Sequence, residues 1–265
     1  MSPCAYAEVV RQLPAVKGAR ILPGKTFKKI LFELCVENLA SAQAAERGGA
    51  DRVELCTSLE IGGVTPAEEL TAAVIHALRI PVHVLIRPRG GDFVYSGAEF
   101  TEMKQQIEWV KKAGAAAAVL GVLQADGRVD VPRSRELVEL ARPMKVTFHR
   151  AFDETRDKAE ALEAVVETGA DCLLTSGGAP DVLTGAEELC RLVHQAGERI
   201  QIMAGGGLKL ANLDEVLERT GVPCMHGSLT RRETDCADVQ GTDVAILEAD
   251  VRSAVGTLRG RLRSE

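Results

Sequence analysis

Carboxylates, cysteines, arginines and a histidine recur two residues apart at the ends of apolar runs in this chain. Glu33 and Cys35 close FELCV, Glu54 and Cys56 close RVELC, Arg87 and Arg89 close HVLIRPR, and Thr147 and His149 close VTFH, with Asp153 shortly after. Side chains two apart share one face of a strand, so each pair can enter the same interior. A carboxylate there needs a partner, and Arg87, with its planar bidentate fork, is the expected counter-ion. A histidine beside carboxylates suits proton transfer near neutral pH. Glu33, Glu54, Arg87, Arg89, His149 and Asp153 thus form one candidate acid–base cluster, with a structural salt-bridge layer as the competing reading. Cys35 and Cys56 sit at like positions on successive runs, and two thiolates suit the soft ion Cu(I). Met203, Met225, His149 or His226 are available to complete such a site, although buried cysteine commonly acts only as a small hydrophobe.

The elements that would carry these residues alternate regularly. KILFELCV (29–36), DRVELC (51–56), PVHVLIRPR (81–89), AAVLGVL (117–123), MKVTFH (144–149), DCLLTS (171–176), RIQIMAG (199–205) and PCMHGS (223–228) read as strands. Amphipathic segments follow each one. Asn38 is placed to cap the first helix and Thr65 the second, and Phe100, Met103, Ile107 and Val110 show the three-and-four spacing of a buried helical face. Eight strand–helix units without a linker predict an α/β fold, a single-domain (β/α)₈ TIM barrel over residues 27–260. An open doubly wound sheet would need a glycine-rich phosphate loop after its first strand, and ELCVEN has none. Residues 1–26 read as an N-terminal extension, an extra strand or a loose tail. In such barrels sites gather at the C-terminal ends of the strands, where Thr175, Ser176 and His226 also lie. Gly205, Gly206, Gly207 and Ser228, after strands seven and eight, are a candidate anion site there, with a tight turn as the alternative.

Composition narrows the function. The chain has 265 residues, 46% hydrophobic and 26% charged, as in a soluble globular protein. Its formal net charge of −6 argues against nucleic-acid or anionic-membrane partners, and no apolar run is long enough for a membrane span. Seven cysteines without a C-x-x-C pair read as reduced thiols of a cytoplasmic protein.

FELCVEN, GGADRVELCTSLEIGGVTP, PVHVLIRPRGGDFVYS, VTFHRAFDET, LLTSGG and IMAGGG, in this order, resemble the CutC family of copper homeostasis proteins, from about Phe32 to Ser228. The resemblance implies a TIM barrel, copper as the cargo, and a homo-oligomer. It also carries the Cu(I) role of two family cysteines onto Cys35 and Cys56. The segment 230–241 departs from the family pattern. A metal carrier has no evident need for the whole acid–arginine–histidine set. An enzyme on a small phosphorylated or carboxylated metabolite (a lyase, isomerase or hydrolase) is therefore the alternative expectation.

Overall fold

The computed structural model describes residues 29–229 and 244–261. The 1–26 extension and the divergent 230–241 segment lie outside the described residues. Strands and helices alternate as the sequence pattern requires: β1 Leu31–Val36, α1 Leu39–Gly48, β2 Arg52–Leu55, α2 Glu68–Ala77, β3 Val82–Leu85, α3 Gly97–Ala113, β4 Ala117–Leu120 and α4 Val131–Ala141 come first. Then follow β5 Lys145–Phe148, α5 Lys158–Thr168, β6 Cys172–Thr175, α6 Ala186–Ala196, β7 Gln201–Gly205, α7 Leu213–Thr220, β8 Cys224–Gly227 and α8 Val244–Arg261. Every strand pairs in parallel with its sequence neighbour, and β8 returns to β1 to close the barrel. No helix among the described residues is long and apolar enough to cross a membrane.

The pleat sorts each strand into two environments. On β1, Phe32, Leu34 and Val36 face outward into the main core, shared with the helices. Glu33 and Cys35 face the barrel interior. Two small apolar groups fill that interior, Cys35, Cys56, Leu85 and Val119 on one side and Cys172, Leu174, Met203 and Cys224 on the other. The helices pack outside by their apolar stripes, α3 through the four residues its spacing predicted, Phe100, Met103, Ile107 and Val110.

Local signals set the helix ends. The Asn38 side chain accepts from the Ser41 N–H, and Asp130 and Asp157 cap α4 and α5 in the same way. Ser96 and Glu99 form a reciprocal capping box on α3. Thr65 does not cap α2, which starts at Glu68 behind Ala67. Its hydroxyl instead accepts from the Arg87 N–H at 2.8 Å and donates to Gln106, tying the end of β3 to α3. A long-range partner displaced the local one.

Candidate metal and ligand site

Glu33 sits fully buried in the middle of the barrel, and its counter-ion is Arg52, not Arg87. The two residues are directly opposed across the β1–β2 ladder, and Arg52 Nε donates to Glu33 Oε2 at 2.5 Å. His226 Nδ1 lies 2.8 Å from the other oxygen, Oε1. His83 Nδ1 is 3.1 Å from Oε2, but off hydrogen-bonding geometry. Burial alone would raise the Glu33 carboxyl, yet Arg52 and the two imidazoles outweigh it and hold the group well below the usual carboxylate range. The far end of Arg52 reaches the sulfurs of Met203 and Cys224, both at 3.3 Å. A positive charge among these sulfurs makes that end of the barrel a poor place for a metal cation.

One layer nearer the mouth, soft thiols stand with a harder carboxylate and a borderline imidazole. Cys35 Sγ lies 3.5 Å from Cys56 Sγ and donates to Glu54 Oε1 at 3.6 Å. One ligand atom each from Cys35, Glu54 and His226 fall within 4.8 Å of one another. With Nδ1 engaged by Glu33, Nε2 is the nitrogen His226 has left to offer. A carboxylate behind an imidazole fixes its tautomer and orientation, as it does behind many metal-binding histidines. The Cys56 hydrogen bond, burial and the neighbouring carboxylates push the Cys35 thiol up. Burial also raises Glu54, whose Oε2 has no partner among the described residues, while Glu54 and Glu33 raise His226 against its own burial. The Cys35 thiol therefore holds a proton that an arriving cation would displace.

The rest of the expected cluster divides. Arg87 is buried, but it donates to the carbonyls of Ile61, Gly63 and Gly91 and lies over the Phe93 ring. It staples the loops after β2 and β3. Arg89 leaves the interior altogether, because β3 ends at Leu85 and the pleat ends with it; Glu99 and Asp92 hold Arg89 at the surface. Asp153 organises the β6 loop, accepting from Thr175 Oγ1, the Ser176 and Gly178 amides and Arg150. His149 is buried against Phe93, its ring centroid 4.9 Å away. A cavity of about 820 Å³ joins these parts at the C-terminal end of the strands. Cys35, Glu54, Arg87, His149 and His226 line it, as do Gly206, Gly207 and Ser228. Gly205 serves packing: a Cβ there would fall 2.5 Å from Leu174 Cδ1 and 3.1 Å from His226.

Sequence reasoning missed Arg52 and His83. Both lie on the two-residue step that flagged their neighbours, Arg52 before Glu54 and Cys56, and His83 before Leu85 and Arg87. Attention to the C-terminal strand ends alone left out the layer beneath.

Fold and site together define a (β/α)₈ barrel whose mouth carries a thiol–carboxylate–imidazole donor group, braced from below by a buried ion pair. The model of the CutC family matches residues 30–231, and the chain belongs to that family. A family protein CutC from Mesorhizobium japonicum is 47% identical over 196 residues, 74% of this chain and 76% of the relative. The human copper homeostasis protein cutC homolog is 44% identical over 214 residues, 80% of this chain and 78% of that protein. The crystal structure of CutC from Streptococcus agalactiae superimposes with a TM-score of 0.72 at 32% identity, covering 76% of this chain and all of that one. The human relative and the Streptococcus protein are both named for copper homeostasis.

Proposed function

We propose that this protein binds Cu(I) through Cys35 and Cys56 at the mouth of the barrel. The observation that carries the reading is the 3.5 Å separation of the two sulfurs, close enough for one soft ion to engage both. His226, oriented by Glu33, and Glu54 stand beside them as further donors. Glu54 has a second part to play. It already accepts from the Cys35 thiol, so it is placed to take the proton that metal binding releases. The copper homeostasis role carried by the human relative's name supports the same assignment. Reduced cysteines and a thiol-bound Cu(I) both belong in the cytoplasm, where we place the protein, as a homo-oligomer.

Competition of the reduced protein against a Cu(I) chelator tests this. The Cys35→Ala/Cys56→Ala double variant should lose at least ~100-fold in affinity, the loss of two charged soft ligands. Unchanged affinity in the double variant would remove these thiols from the function. Light scattering giving the mass of one chain would remove the oligomer.

A further inference from the structure

A single ion fills a small part of the mouth cavity, whose volume of about 820 Å³ is that of a site for a small organic molecule. Two of its wall residues are incomplete without such a molecule. Arg87 is 4% exposed, and among the described residues its guanidinium has carbonyl acceptors and the Phe93 ring but no carboxylate. Carbonyl dipoles take N–H groups of Nη1 and Nη2, Nε has no partner among the described residues, and the charge is left unmatched, an expensive state for a buried cation. Next to it stands His149, 5% exposed. Its Nδ1 accepts from the Ala151 N–H at 3.2 Å, so the neutral ring must carry its proton on Nε2. Among the described residues Nε2 has no partner. Burial and the Arg87 charge bring the His149 pKa down to about 3, so the ring stays neutral at physiological pH.

A neutral N–H donor without an acceptor therefore stands beside a cation without an anion, on the wall of one cavity. An oxyanion supplies what both lack. We propose that the mouth cavity binds a small metabolite bearing a carboxylate or phosphate group, with one oxygen accepting from His149 Nε2–H in the field of Arg87. Gly206, Gly207 and Lys209 line the same cavity and are available to the remainder of the ligand, as is the Cys35–Glu54–His226 group. This site stands apart from the copper reading, since it uses neither cysteine.

The test uses the full-length protein labelled with ¹⁵N-histidine and titrated separately with oxalate, pyruvate and inorganic phosphate. The expected result is that at least one of them shifts the His149 Nε2–H resonance. The same probe should raise the melting temperature by roughly 3–6 °C at about ten times its Kd. The carboxylate and phosphate arms tell the two groups apart. His149→Phe keeps a ring against Phe93 and removes the donor, and should weaken binding of that probe about tenfold or more. The proposal is overturned if none of the three moves the wild-type resonance at ~10 mM, well above ordinary metabolite affinities, or if His149→Phe binds with unchanged affinity. The wild-type titration decides the matter even if the variant fails to fold.

Discussion

Taking the charge from Glu33 would leave the Arg52 guanidinium between two sulfurs with nothing to neutralise it. Glu33→Gln should therefore lower stability by about 3–5 kcal/mol in urea unfolding, the usual cost of breaking one side of a buried pair. Adding Arg52→Met to that variant should restore part of the loss, because the stranded charge is then gone. The partial rescue distinguishes an ion pair from mere packing. His149 makes a different prediction, about pH. Its pKa is about 3 in the folded chain against an ordinary value of 6.5, so between those values the unfolded chain binds the extra proton. Stability from this group is complete above pH ~6.5 and falls as pH drops toward ~3, by on the order of 1 kcal/mol per unit. His149→Phe should flatten that acid limb relative to wild type in urea melts taken across the same range. An acid limb of unchanged slope would show that the imidazole is not held neutral.

Two strand ends owe their site geometry to the absence of a side chain. A Cβ on Gly121, just past β4, would meet His149 Nδ1 at 2.6 Å and Cε1 at 2.7 Å; one on Gly205, ending β7, would press on Leu174 and His226. Each Gly→Ala change should cost about 1–3 kcal/mol by overpacking. Their effects on function should differ. Gly205→Ala displaces the imidazole beside the thiols and weakens Cu(I) in the chelator competition, whereas Gly121→Ala displaces only His149 and leaves Cu(I) affinity near wild type. The alternation of strands and helices, the Asn38 cap and the pairing of Glu33 with Cys35 and Glu54 with Cys56 on shared faces were legible in the sequence, because they depend on local periodicity. The ion pair was not, because it depends on register. Glu33 faces Arg52 through the β1–β2 ladder, a relation that a count along either strand alone does not contain. The Arg87 and Arg89 pair failed as a shared face for the opposite reason, since the two-residue rule was carried past the point where β3 stops being a strand.

For the whole molecule, the position of the thiol group relative to barrel closure has a mechanical consequence. Cys35 belongs to β1, Cys56 follows β2, and His226 belongs to β8, so the donors span the seam where the last strand meets the first. Outside that seam, α1 and α8 are pressed together, with Gly48 so close to Val251 that a Cβ there would sit 2.7 Å from it, and with Arg47 paired to Glu248 at 2.7 Å. The closing contacts are thus made between the first and last strand–helix units, the two ends of the strand order, which are far apart in sequence. An ion held jointly by β1, β2 and β8 would tie those ends together. At about 100 times its Kd, Cu(I) should stabilise the fold by roughly 2.7 kcal/mol. That corresponds to a rise of about 5–10 °C in melting temperature for a chain of this size. Hydrogen exchange should place the gain unevenly: amides of β1, β8, α1 and α8 should slow more than those of β4 and β5, because opening at the seam has to break the metal contacts first. Equal slowing on both sides of the barrel, or slowing centred on Met203 and Cys172, would mean that the ion binds somewhere other than the seam.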